Sequence, residues 1–264
     1  PHKNVAKDAG ANTDTLRTIR LHPDVHALTA DFMAFWNYWY DSIDLTRDFL
    51  PLSSKGDTIN KLLFLKQLHT GRYMAAITRI ERTPSEAEKD QGLYTYQLLD
   101  LPASHDPGIS RQIVQLTQQA LHDYKREGQP LPAFDLMTID GKHYTAENCK
   151  GRILVMDTWF VRCGACVAEM PDLNKWVYKY RDHKDLLFIS LCLDDQAAIQ
   201  KFLQKQGFAF EIVADAADYI EQKLDIHQYP TKILVDKQGK IVKIGSFASI
   251  SRELDHLIRS YPGT

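Results

Sequence analysis

Cysteine is scarce in this chain, with 4 among 264 residues. A disulfide scaffold is short and dense in cysteine, so that class is excluded. Long hydrophobic runs are missing as well. The most apolar windows, 153–160 and 186–193, reach about eight residues where a transmembrane helix needs ~20, and both read as buried strands. There is no excess of basic charge either: 32 Lys and Arg stand against 34 Asp and Glu, a formal net charge of −2, and no basic run occurs. Nucleic acid and anionic lipid surfaces are therefore excluded as expected partners. The chain begins at Pro1, with no Met and no apolar leader-like run. The expectation is a processed or trimmed form from which any export signal has been removed. What remains is ordinary globular composition, 44% hydrophobic and 25% charged, at a length that allows two domains.

The two halves differ in texture. From about Asp24 to Glu127 the apolar residues recur at helical spacing, which predicts an all-α helical domain over residues 1–128. Leu28, Phe32, Phe35, Trp36, Trp39, Tyr40 and Ile43 form one wide aromatic stripe, the first helix, read as core rather than as a ligand groove. A second helical run carries Ile59, Leu62, Leu63, Leu65 and Leu68 and continues to Tyr73, Ile77 and Ile80, with Asp57 or Thr58 as its cap and Gly71 as a candidate break. A third is expected over 85–99. The fourth has Asp106 as cap, Pro107 at the first helical position and Gly128 as its stop. The segment Gln129-Pro130-Leu131-Pro132 cannot continue a helix and marks a boundary near residue 128.

Beyond it, over residues 129–264, strands and helices alternate. Strands are expected at 134–136, 153–157, 187–193, 233–235 and 241–244, and helices at 163–181, 196–206, 217–224 and 251–260. That alternation calls for an α/β fold, a central mixed sheet flanked by helices.

Two cysteines, Cys163 and Cys166, form a C-x-x-C directly after a buried strand and at the start of a helix. A helix N-terminus presents unpaired N–H groups and the positive dipole end, which favours thiolate at the first position. Cys163 is thus the expected nucleophile. Cys166 lies nearly one turn further on the same face, within reach of a disulfide with Cys163, and is the expected resolving thiol. Arg162 adjoins the nucleophile, either to lower its pKa or as a solvated surface residue. Cys149 and Cys192 fall where small apolar residues sit and are expected to be buried, inert thiols.

Here the sequence resembles the thioredoxin superfamily, and more narrowly its TlpA/ResA-like thiol-disulfide oxidoreductase branch. Pro171, eight residues after Cys163, matches the kink proline of the active-site helix, within the run Ala168-Glu169-Met170-Pro171-Asp172-Leu173-Asn174. Trp159 matches the aromatic of the preceding strand. Asp157, six before the first cysteine, matches the buried acid of thioredoxin proper. Tyr229-Pro230-Thr231, followed by Lys232-Ile233-Leu234-Val235-Asp236, looks like the cis-proline loop and its following strand, although Gln228 stands where the family usually has Gly. The resemblance covers roughly residues 130–262 and implies a thioredoxin-like fold there.

It further implies attack by Cys163 on a substrate disulfide, release by Cys166, and Asp157 as proton acceptor. Tyr229, Pro230, Trp159, Gly164 and Ala165 become the expected substrate-binding residues, with Tyr229 offering backbone to an extended segment. The implied partners are protein or peptide disulfides and a thiol-disulfide electron donor, which in this branch is commonly membrane-bound. The implied location is extracytoplasmic. No cofactor and no metal are called for: a zinc site lacks a second ligand pair, and haem attachment lacks a His after Cys166. A thiol peroxidase is disfavoured because Thr158 lies five before Cys163, outside the Thr-x-x-Cys spacing. Gly164-Ala165 leaves the direction of exchange open, with Asp157 leaning toward a reductase. The non-enzymatic alternative is a redox-gated adaptor whose helical domain docks a partner.

Overall fold

Asp31 and Asp106 begin the two helices that the sequence marks most clearly. The structure is a computed structural model and describes residues 15–88 and 92–261. In its N-terminal half, β1 (Arg17–Arg20) and α1 (Val25–Leu28) precede α2 (Phe32–Ser42), where the Asp31 side chain accepts from Ala34 N. Next come β2 (Phe49–Leu52), α3 (Lys61–Leu68), β3 (Tyr73–Arg82), α4 (Pro84–Glu88), β4 (Leu93–Asp100) and α5 (Pro107–Arg126). Asp106 caps α5 through Gly108 N, with Pro107 in the first turn as expected.

The all-α expectation for this half is wrong. Its centre is a four-stranded sheet of order β1-β3-β4-β2, antiparallel except for the β2–β4 pair. The second predicted helix ends at Leu68 and is capped by Asn60 rather than Asp57 or Thr58. Gly71 then takes φ +69°, a conformation that L side chains rarely adopt, and the chain re-emerges as β3. The third predicted helix, 85–99, is helical only within α4, up to Glu88; 89–91 lie outside the described residues, and 93–99 form β4. Met74, Ala75, Ala76 and Ile77 are all buried, as are Tyr94, Thr95 and Tyr96, so neither strand shows the alternation of a half-exposed sheet. The aromatic stripe of α2 is core as expected at Phe35 and Trp39, while Tyr40 is 73% exposed.

In the C-terminal half, β5 (Asp135–Met137) and β6 (His143–Thr145) form a hairpin. They lead to β7 (Ile153–Trp159), α6 (Gly164–Lys179), β8 (Leu186–Cys192), α7 (Gln196–Leu203), β9 (Glu211–Val213) and a π-helical segment Asp218–Lys223. β10 (Thr231–Val235), β11 (Ile241–Gly245) and α8 (Phe247–Ser260) follow. The five-stranded sheet has the order β11-β10-β7-β8-β9, with β7, β8 and β9 parallel and β10 antiparallel to both its neighbours. Strand β7 is central and buried along its whole length. One sheet face packs Ile153, Val155 and Leu234 against Leu173 and Trp176 of α6 and Ile250 and Leu254 of α8. The other packs Leu154, Met156 and Ile233 against the β5–β6 hairpin and the π-helical segment.

The halves are joined by more than a linker. Gly128 N donates to Ile241 O (2.7 Å), Ile241 N to Gln129 O (2.9 Å), and Leu131 N to Gly239 O (2.8 Å), which covers the free edge of β11. Across the contact, Ser246 Oγ donates to Asp44 Oδ2 (2.7 Å) and Lys243 Nζ to Asp48 Oδ1 (2.8 Å). A Cβ at Gly245 would collide with Thr46, so a glycine there permits the close approach.

Candidate active site

Strand β7 delivers its last residues to the end of the sheet where the chain turns into α6. Cys163 is the N-cap of that helix, with its Sγ accepting from Cys166 N at 3.2 Å. Cys163 and Cys166 are joined by a disulfide with their Cα atoms 5.2 Å apart. Both are nearly enclosed, at 5% and 2% exposure, whereas Gly164, Ala165 and Arg162 are exposed. Pro171 lies inside α6. The turn before the helix is tied down by Asp194 Oδ2, which accepts from Val161 N (2.7 Å).

Trp159 does not line an open surface. It is fully buried, with its indole N–H donating to Ser190 Oγ and its ring packed on Phe202 (5.4 Å) and Phe208 (5.8 Å). The expectation that it touches substrate is corrected on that ground: it supports the dithiol from beneath. The Tyr229–Pro230 peptide is cis. Thr231 N and Thr158 Oγ1 hold the start of β10 against the end of β7, and the Tyr229 ring packs edge-on against Phe160 at 5.6 Å. Tyr229 and Phe160 both pack against the cluster that contains Cys163 and Cys166.

Residues 153, 155, 157 and 159 share one face of β7, so Asp157 projects toward α6 beside the apolar cluster. It stands directly opposite Lys232 in the β7–β10 register. Lys232 is fully buried, its ammonium 3.2 Å from Asp157 Oδ1 and paired on its other side with Glu169 of α6, one turn beyond Cys166. The Asp157 contact lies outside hydrogen-bonding geometry, which leaves Oδ1 without a donor. Burial pushes the Asp157 carboxyl up to about 6, with Lys232 only partly offsetting it. Lys232 itself is held charged, raised by its two carboxylates against burial.

Sequence reasoning missed Lys232 and Glu169. The available signals were a lysine at the same strand parity as buried Leu234 and an acidic residue at i+3 from Cys166 on a helix. The other two cysteines are buried thiols, as expected. Burial raises both, and Cys192, with Asp194 beside it, goes up to about 12. The arrangement can carry dithiol–disulfide chemistry with a titratable carboxyl beneath it.

Residues 128–244 match the AhpC/TSA family. The ResA thiol-disulfide oxidoreductase of Bacillus thuringiensis (strain Al Hakam) is 29% identical over 117 residues, 44% of this chain and 67% of that protein. The ResA protein of Geobacillus kaustophilus is 24% identical over 135 residues, 50% of this chain and 76% of its own. Among solved structures, a thiol-disulfide oxidoreductase from Bacteroides fragilis aligns with TM-score 0.45 at 22% identity, covering 49% of this chain and 99% of that one. Residues 128–244 are accordingly a thioredoxin-like domain that matches the AhpC/TSA family and is similar to the ResA thiol-disulfide oxidoreductases.

Proposed function

We propose that the protein is a thiol-disulfide oxidoreductase that reduces protein disulfides through Cys163 and Cys166, the division between its two domains falling near residue 128. The observation that carries this reading is the Cys163–Cys166 pair at the N-cap of α6, directly beyond the central strand β7. In the reduced enzyme the Cys163 thiolate attacks a substrate disulfide, forming a mixed disulfide and releasing one substrate thiolate. Cys166 loses its proton and attacks Cys163 Sγ. The second substrate thiolate leaves, and the Cys163–Cys166 disulfide remains with both electrons passed to the substrate. An external dithiol donor restores the reduced pair.

Asp157 is the proposed acceptor for the Cys166 proton. A carboxyl raised to about 6 by burial is closer to a thiol in proton affinity than an ordinary aspartate, which supports that role. Gly164 and Ala165, exposed beside the disulfide, and Tyr229 and Pro230, on the loop against it, are the proposed substrate contacts. An extracytoplasmic location, consistent with the similarity to ResA proteins, and a thiol-disulfide electron donor complete the proposal. Turnover in an insulin-reduction assay tests the proposal: Cys163→Ser abolishes it, and unchanged turnover in that variant rejects the mechanism.

A further inference from the structure

The N-terminal half does more than stand beside the dithiol domain. A groove of about 400 Å³ runs between α2, α5 and the 225–228 loop, lined among others by Trp36, Tyr40, Ile43, Leu116, Ala120 and Gln228. Gln228 immediately precedes Tyr229, so the groove continues outward from the loop that packs against Cys163 and Cys166. Its walls are fixed to the C-terminal half on both sides. On the α5 side, His122 Nε2 lies 3.1 Å from Asp225 Oδ2 and the Arg126 guanidinium donates to Leu224 O. On the α2 side, Asp44 accepts from Ser246 Oγ, and Thr46 Oγ1 contacts Ser249 Oγ at 3.1 Å.

The carboxylates in its lining already have donors. Asp44 Oδ1 accepts from Thr46 N and Oγ1, and Asp123 Oδ1 accepts from Gln119 Nε2 (2.9 Å) and lies 3.3 Å from His122 Nδ1. The surface left for a ligand is therefore mainly aromatic and aliphatic, with Gln228 as a polar member at the loop end. Tyr40 is the clearest part of it, an aromatic ring 73% exposed and 6.3 Å from that of Trp36. A large exposed aromatic beside an apolar groove is typical of a docking anchor.

We propose that this groove is a substrate-docking subsite. It takes an extended apolar or aromatic segment of the disulfide-bearing polypeptide, a few residues to one side of its reactive cysteine. The proposal rests on the reading of Cys163 and Cys166 as the exchanging pair and names what that pair selects. An extended chain advances ~3.3 Å per residue, so a segment lying along the Tyr229–Pro230 loop places its next residues beyond Gln228, in the groove. A small-molecule disulfide carries no such segment.

Steady-state kinetics of the full chain test this with two oxidised substrates: a disulfide-bonded peptide carrying Phe and Leu beside one cysteine, and 2-hydroxyethyl disulfide. In Tyr40→Asp, KM for the peptide rises about tenfold relative to its change for the small disulfide, while kcat for the peptide holds. The same substitution at Tyr178, an equally exposed tyrosine on α6 outside the groove, leaves that ratio at the wild-type value. Equal shifts for both substrates in Tyr40→Asp, or no shift in either, overturn the subsite and leave the dithiol mechanism standing. Absence of Cys163-dependent turnover of either substrate in the wild-type chain overturns both.

Discussion

Two neighbouring strands each hold a buried lysine between carboxylates, and the two clusters behave differently. On β10, Lys232 lies between Asp157 and Glu169; on β11, Lys243 lies between Asp48 and Glu127. The lysines are equally hidden, at 0% and 5% side-chain exposure, but their partners are not. The Asp157 side chain is 2% exposed and that of Asp48 49%. Burial pushes both carboxyls up. At Asp48 the Lys243 hydrogen bond and charge outweigh it and leave the pKa low, whereas at Asp157 burial prevails over Lys232. The Lys243 cluster is therefore a clamp between the halves in which Asp48 stays charged while burial raises Glu127, at a junction that also holds Lys61. Burial and the nearby Lys243 ammonium lower Lys61 to about 8. The Lys232 cluster keeps one carboxyl close to neutrality in its pKa, on the side of the sheet that faces α6 and its cysteines. What separates Asp157 from Asp48 is access of the carboxylate to water, since each faces a buried lysine.

Removing each lysine breaks the comparison most sharply. Lys232→Met leaves Asp157 buried without a counter-ion and is expected to cost about 3–5 kcal/mol in urea unfolding at pH 8, with less loss at pH 5, where Asp157 takes up a proton. Lys243→Met leaves Asp48 half-exposed to water and is expected to cost about 1 kcal/mol. Equal losses would show that water access does not set the difference.

Asp157 gives the next effect. Its folded pKa of about 6 lies above the ordinary aspartate value of about 3.9, so the folded state binds more protons between those limits. The contribution of Asp157 to stability is accordingly full below about pH 4 and is lost as pH rises through 6. In Asp157→Asn this decline, about 2–3 kcal/mol in all, disappears from the pH dependence of unfolding. The same variant slows resolution of the mixed disulfide more at pH 7 than at pH 9. A pH-independent slowing would remove Asp157 from proton transfer.

A further effect is expected at the junction. Gly245→Ala drives a methyl group into Thr46 and is expected to cost about 1–3 kcal/mol in thermal unfolding. The ratio of the Asp157→Asn rate at pH 7 to that at pH 9 stays the same in its background. A change in that ratio would link the two clusters.

The dithiol was legible because its signals are local. Cys163, Cys166, Pro171 and Asp157 lie within fifteen residues, and each spacing has a mechanical cause. The N-terminal sheet was not legible, because β3 and β4 are buried on both faces and contiguous apolar residues fit a helix as readily as a strand. Ile77 and Ile80 happen to continue the helical spacing of Leu65 and Leu68 across Gly71, where the positive φ breaks the helix. Lys232 and Glu169 were hidden for another reason. Their partnership with Asp157 needs the antiparallel β7–β10 register and the docking of α6, neither of which a single segment reveals. Gln228 and Tyr40 are 188 positions apart and meet in one groove only through the contact of the halves.

The central claim is that Cys163 is the attacking thiol and Cys166 the one that resolves. Trapping in Cys166→Ser tests it directly: reduced protein is mixed with a disulfide-bonded polypeptide, and the adduct is digested and mapped by mass spectrometry. The account predicts a stable mixed disulfide on Cys163, with Cys149 and Cys192 unmodified. Adducts on Cys149 or Cys192, or none on Cys163, would contradict it.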